Sequence, residues 1–282
     1  MNERVDLRAE RNRAKKRKKA LIKNCIILGQ FAVIIALVIA LVAVSVSYAN
    51  FRGDVNNGNG AVTSGNVSDV SSDDAASKQE WMKAEVKQWY LKLVNPDVAV
   101  SEDFIENVGL TAIDTRFTDG KASSKYFDSR AVGALNTMCE AALEDGIRLT
   151  CISTYRTYDY QDGLFNNRIQ RYINQGYSQT DALAAAARVV AKPGTSEHHM
   201  GLAVDFNSVE QSFENTQAFK WLQEHAEEYG FIMRYAEDKQ NLTKIIYEPW
   251  HYRYVGVEHA KAINDLGYCL EEYIEYLKNG GK

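Results

Sequence analysis

The hydrophobic pattern changes character twice along the chain. Residues 25–49, CIILGQFAVIIALVIALVAVSVSYA, form an uncharged, apolar run of 25 residues, which as a helix spans about 37 Å and so covers a hydrocarbon core of about 30 Å. Residues 50–78 are rich in Gly, Asn, Ser and Asp and hold too little apolar material to build a core, so they read as a flexible linker. From residue 79 onward the periodicities of a folded domain set in. The stretch 79–94 places Trp81, Val86, Trp89 and Leu93 on one helical stripe, the mark of core packing. Segment 95–128 reads as loop with short strands, and amphipathic helices are expected at 129–145, 159–175, 180–190, 213–229, 257–266 and 270–277. Strands are expected at 148–153, 202–206, 231–235 and 244–247. Helices that cluster before the strands argue for the α+β class: one compact domain over 79–282, built on a small antiparallel sheet with helices packed around it and preceded by one transmembrane helix.

Charge sharpens this picture. Residues 1–24 carry ten Lys/Arg and three Asp/Glu, a net of +7, which leaves 23 basic and 34 acidic residues in the remainder, a net of −11. The basic tail beside the apolar run makes 1–24 a cytoplasmic segment, 25–49 the membrane anchor and everything after residue 50 extracytoplasmic. A cleaved signal peptide is the alternative, since Ser47-Tyr48-Ala49 has the small-x-small form of a cleavage site; the length of the run, well beyond the apolar core of a signal, favours the anchor. A linker of this length gives a reach of about 30 Å from the membrane. The acidic external part excludes nucleic acid as a partner. Three cysteines lie in that part, Cys139, Cys151 and Cys269, and read as small buried hydrophobes; with no Cys-x-x-Cys pair, a structural zinc ribbon is excluded.

Candidate chemistry gathers in two stretches, SEHHMGLAVD at 196–205 and EPWHYRYVG at 248–256. His198, Asp205 and His251 form a two-His, one-carboxylate set that leaves a coordination position open, the inventory of a catalytic zinc site, and Glu248 is a base beside it. His198 and Asp205 are seven residues apart, roughly 23 Å on a strand or 10 Å on a helix, so the chain must bend between them to share one ion. Gly201 can make that bend, with His198 on a loop and Asp205 on a half-buried strand, facing away from Leu202 and Val204. Pro249 makes EPWH a bend or the start of a strand. His199 is the alternative ligand, but adjacent residues on an extended chain face opposite ways, so one of the pair faces the metal. His225 and His259 read as surface residues.

The two stretches fit the S-x-H-x-x-G-x-A-x-D and E-P-W-H-x-R-Y-V-G signatures of the VanY-type zinc D-Ala-D-Ala carboxypeptidases. A third block, STYRTYDYQDGLF at 153–165, resembles that family's Y-R-S/T-x-x-x-Q-x-x-L-F segment, and PGTSEH from Pro193 extends the similarity, which covers about residues 85–275. The resemblance implies a metal-bearing sheet, one zinc ion on His198, Asp205 and His251, Glu248 as catalytic base, and Arg156 facing the reacting carbonyl or the substrate carboxylate. It further implies that Gln161 and Ser196 hydrogen-bond substrate, while Tyr155 and Trp250 are candidates for the pocket wall. The implied activity is removal of the terminal D-alanine from peptidoglycan stem peptides. An L,D-carboxypeptidase acting on tetrapeptide stems, a catalytically inactive peptidoglycan-binding module and a receptor-like ectodomain are the other readings; Glu248 argues against the inactive module, and a short basic tail offers no signalling domain.

Overall fold

The last strand of the domain, Glu248–Tyr254, alternates two chemistries. Trp250 and Tyr252 point into the apolar core, while His251 and Arg253 point to the opposite face, and all four are buried. The same alternation runs through its neighbours: Val204 and Phe206 against Ala203 and Asp205, Phe231 against Ile232 and Arg234. One face of the sheet is therefore oil, and the other carries charge.

The computed structural model describes residues 72–281, which belong to one compact unit, Val70–Lys282. Helix α1 (Ser72–Glu85) is followed by the short α2 (Glu102–Glu106) and by a two-stranded antiparallel sheet, β1 (Leu110–Ala112) with β2 (Tyr126–Asp128). Helix α3 (Val132–Glu144) leads to β3 (Cys151–Ser153), α4 (Tyr158–Asn174) and α5 (Gln179–Ala187). Next come β4 (Ala203–Phe206), α6 (Gln217–His225), β5 (Phe231–Tyr235), α7 (Gln240–Thr243), β6 (Glu248–Tyr254), α8 (Val257–Leu266) and α9 (Leu270–Lys278). The main sheet has the order β3-β4-β6-β5, antiparallel throughout. The α+β class expected from the sequence is what the fold shows.

Two clusters hold the sheet. Val204, Phe206, Phe231 and Tyr252 pack with Leu135, Met138 and Cys139 of α3 and with Trp221 of α6. Ile232 and Val255 pack with Ile263 of α8, with Leu270, Ile274 and Leu277 of α9, and with Leu91. Covering both faces leaves β4 wholly buried rather than half-buried as expected. Cys139, Cys151 and Cys269 are free thiols in the interior.

Several expected elements differ. Helix α1 begins at Ser72, so its first turns fall within the segment read as linker, and it ends at Glu85, leaving Trp81 48% exposed rather than in the core. The long helix at 213–229 is broken: the Thr216 side chain accepts from Phe219 N–H and starts α6 afresh, and a 3-10 turn at Ala226–Tyr229 closes it against left-handed Gly230. The stretch 244–247 is not a strand, because Lys244 ends α7 in a left-handed conformation and the Ile246 N–H is taken by the Arg188 carbonyl. His259 is buried, bonded to the Tyr273 hydroxyl and facing Glu85, not a surface residue. The expected anchor at 25–49 lies outside the described residues; among those described, no helix is long and apolar enough to cross a membrane.

Candidate active site

The sheet's register assembles the site. Ser153 on β3, Asp205 on β4 and His251 on β6 are direct cross-strand neighbours on the charged face. His198 arrives from a 3-10 turn, Glu197–Met200, that Gly201 closes at φ +63°. A side chain there would lie 3.0 Å from the Asp128 nitrogen, while the Gly201 carbonyl accepts that same N–H, so both the turn and the close approach require glycine. The bend expected at Gly201 is the device that returns Asp205 to His198.

One ligating atom from each of His198, Asp205 and His251 lies within 4.8 Å of the others, and all three residues are buried. His198 Nε2 is 3.3 Å from Asp205 Oδ2, and His251 Nδ1 is 3.1 Å from Asp205 Oδ1. The far nitrogen of each imidazole is held from behind. His198 Nδ1 donates to the Thr154 carbonyl at 2.6 Å, and His251 Nε2 faces Glu197 Oε2 at 3.4 Å. Because a carbonyl can only accept, the proton of neutral His198 sits on Nδ1 and its Nε2 lone pair is presented to the cluster, the arrangement that fixes the tautomer of a metal-binding histidine. Two imidazoles and a carboxylate converging in this way fit zinc, with a position left for water or substrate. His199 is excluded by its contacts, since Nδ1 donates to the Arg156 carbonyl at 2.8 Å and Nε2 accepts from Gly194 N–H at 3.1 Å.

Electrostatics agree. Burial opposes the charge of Asp205, yet His198, His251 and Arg156 hold its carboxyl well below the usual range. Burial and the nearby Arg156 cation bring His198 down to about 4. For His251 burial works against charge, but Asp205 and Glu197 outweigh it and raise the imidazole to about 9. Glu248, at the start of β6 with Oε2 3.7 Å from His251 Nδ1, is pushed up to about 8, chiefly by burial.

Arg156 lies at the end of β3 and spends three donors on protein: Nε to Ser153 Oγ, Nη1 to Gln161 Oε1, and Nη2 to Asp205 Oδ2 at 2.7 Å. Its other N–H groups remain for a ligand in the cavity that it lines. This cavity, of about 610 Å³, is also lined by Ser196, Glu248, Trp250 and the three metal-ligand candidates. Gln161 and Tyr155 do not line it. Gln161 is fully buried and bridges Arg156 to the Ala191 carbonyl, so it acts on Arg156 instead of facing substrate. The Tyr155 hydroxyl donates to the Ile105 carbonyl, which turns it into the core rather than the pocket wall.

One residue carries more of the site than its sequence position suggested. Glu197 is fully buried, with Oε1 accepting from Arg234 Nε at 2.8 Å and Arg253 Nη1 at 2.9 Å, while Oε2 meets His251. Burial alone would favour the neutral acid, but the two guanidinium groups keep it ionised. Arg234 in turn makes a two-point bond to Glu271 on α9, and Arg253 donates to the Tyr90 and Lys92 carbonyls. This chain of charge ties His251 to both ends of the domain. Its signal in the sequence is an Arg in each of two strands at the alternation position of the metal ligands.

Comparison with known proteins follows from this geometry. The sequence profile of the VanY family, described as D-alanyl-D-alanine carboxypeptidase, matches residues 124–257. The YodJ protein of Bacillus subtilis (strain 168) is 40% identical over 195 residues, covering 67% of this chain and 68% of its own. The crystal structure of a point mutant of the vancomycin-resistance D,D-pentapeptidase VanY, in complex with Zn(II), aligns with TM-score 0.58 and 38% identity, over 66% of this chain and 99% of that one. The chain belongs to the VanY family. A second solved structure, the LD-carboxypeptidase LdcB, aligns with TM-score 0.57 and 37% identity over 65% of this chain and 84% of its own. Zinc is the metal of the family, and in this VanY-family chain His198, Asp205 and His251 are the residues that would hold it.

Proposed function

We propose that this zinc-dependent hydrolase removes the terminal D-alanine from peptidoglycan stem peptides ending in D-Ala-D-Ala. The observation that carries the reading is Glu248: a buried carboxylate beside the two-His, one-Asp cluster, yet outside it, on the wall of a cavity large enough for a peptide end. Zinc, when bound, supplies Lewis-acid polarisation of water and of the scissile carbonyl. Glu248 takes the proton of the attacking water and delivers it to the leaving amine of D-alanine. Burial pushes its carboxyl above the usual range, which makes the ionised form a stronger proton acceptor than a free carboxylate. Arg156, oriented by Ser153, Gln161 and Asp205, directs its free donors at the developing oxyanion or the terminal carboxylate. Ser196 and Trp250 complete the wall on the β4 and β6 sides.

The likeness to an LD-carboxypeptidase, nearly equal to that to the D,D-enzyme, supports the L,D reaction on tetrapeptide stems as the second reading. Incubating the zinc-loaded protein with pentapeptide and tetrapeptide stems separates them by product mass. Loss of one alanine from the pentapeptide is expected; cleavage of the tetrapeptide alone selects the L,D reaction, and binding without cleavage of either selects the inactive module.

Residues 25–49 and the basic tail support a location on the outer face of the membrane, where such stems are assembled. The protein is expected to stay with the membrane fraction through a high-salt wash. A mature N-terminus at Asn50 would show that the segment is cleaved instead.

A further inference from the structure

The cavity continues away from the metal cluster along α4, and that extension is lined by two arginines with no side-chain partner among the described residues. Leu164, Arg168 and Arg171, spaced i, i+4 and i+7, form one stripe of α4 and all three line the cavity. The adjacent stripe, Gln161, Phe165 and Ile169, about a quarter-turn round the helix, is buried, with Phe165 and Ile169 against Ala182 and Ala186 of α5. Packing against α5 thus fixes the rotation of α4 and leaves half-buried Arg168 and exposed Arg171 along the cavity's edge. Arg156 has three of its donors committed, whereas neither Arg168 nor Arg171 makes a side-chain hydrogen bond or ion pair among the described residues. Glu210 lines the same cavity from the loop after β4 and pairs with neither.

From this arrangement we infer that Arg168 and Arg171 form a subsite for a carboxylate carried by the substrate at least two residues on the amino side of the scissile bond. The inference rests on the peptidase reading above and specifies which part of the peptide the cavity recognises. Distance sets the side. Gln161 of α4 accepts from Arg156 at the reacting end, and Arg168 and Arg171 lie seven and ten residues further along the helix, roughly 10 and 15 Å along the axis at 1.5 Å per residue, the length of about three to five extended residues. The terminal carboxylate is one residue from the bond that breaks and belongs beside Arg156 and Glu248. A negative group able to meet Arg168 and Arg171 must therefore come from further up the peptide. The class of group follows from the donors: two adjacent guanidinium forks match a carboxylate in two-point fashion and reject its amide, which offers one acceptor and carries no charge.

The test uses the full-length zinc-loaded protein and two stem pentapeptides, identical except that the second residue bears either a free α-carboxylate or its carboxamide. KM for the carboxylate peptide is expected to be roughly tenfold lower, the scale of one charged hydrogen-bonding partner. In the Arg168→Ala/Arg171→Ala variant the two KM values should converge, and in the Arg168→Lys/Arg171→Lys variant part of the preference should return. Equal KM values in the wild type, or a ratio that survives the double alanine change, would overturn the subsite. Calorimetric titration of the same peptides into Glu248→Gln separates this inference from the reaction it rests on. A carboxylate preference in binding, with no hydrolysis by the wild type, leaves the subsite standing and removes the peptidase reading; hydrolysis with no preference removes the subsite alone.

Discussion

Glu248→Gln is expected to leave zinc content, fold and stem-peptide affinity close to wild type while slowing release of D-alanine by about 10²- to 10⁴-fold, the range supplied by a positioned acid or base. The change is nearly isosteric and removes only the ability to accept a proton. Glu248 lies 3.7 Å from the inner nitrogen of His251 but is not one of the three clustered ligand residues, so the metal should stay. A loss confined to kcat, with KM unchanged, marks an interaction used in the transition state and absent from the ground state. Measured turnover within a few-fold of wild type would remove Glu248 as the base. Loss of zinc in this variant would instead make Glu248 a ligand.

The second large effect concerns the metal set, graded by distance from the ion. His198→Ala, Asp205→Ala and His251→Ala should each lose zinc from the purified protein and lose turnover with it, since each contributes one of the three converging atoms. Glu197→Gln should retain a weaker site, with zinc affinity reduced roughly 10- to 100-fold, as when the partner behind a metal-binding histidine is altered. It should also lower the melting temperature, because Arg234 and Arg253 would be left as buried charges short of a counter-ion, a defect of roughly 3–5 kcal/mol. His199→Ala should keep full zinc stoichiometry and lose stability only, by about 1–3 kcal/mol for each buried partner it orphans at Gly194 and Arg156. Metal analysis and thermal melts on the five proteins check the series. Full zinc occupancy after all three ligand substitutions would remove the assignment, and loss of zinc from His199→Ala would exchange the roles of the two adjacent histidines.

Legibility in the sequence was uneven, and the reason differs by residue. The strand at 231–235 and the helix at 257–266 fall where local periodicity put them, because in each the apolar positions agree with a flanking glycine, Gly230 before the strand and Gly267 after the helix. The helix expected at 213–229 failed because its apolar period runs straight through Thr216, while the backbone stops there to satisfy the first turn of α6. Trp81 fits a helical stripe but is 48% exposed and joins no apolar cluster among the described residues, and His259 is set among charged neighbours in the sequence yet meets Tyr273 across two helices. Burial depends on the partner element, which no window of the sequence contains.

The candidate site divides the same way. By themselves, the residues offered His198 or its neighbour His199 with Asp205 and His251 as a donor set, the need for a bend at Gly201 and a candidate base at Glu248, since ligand type, spacing and glycine are local properties. Only the tertiary structure decided which histidine of the 198–199 pair turns inward, through the carbonyls of Thr154 and Arg156 that hold the two rings. It decided that Gln161 and Tyr155 are spent on the protein while Arg168 and Arg171 are left open to the cavity. It also decided that Glu197, Arg234 and Arg253 form a buried bridge behind His251. Those assignments rest on hydrogen-bond partners far apart in the chain, and a side chain's role is set by which of its donors and acceptors folding has already used.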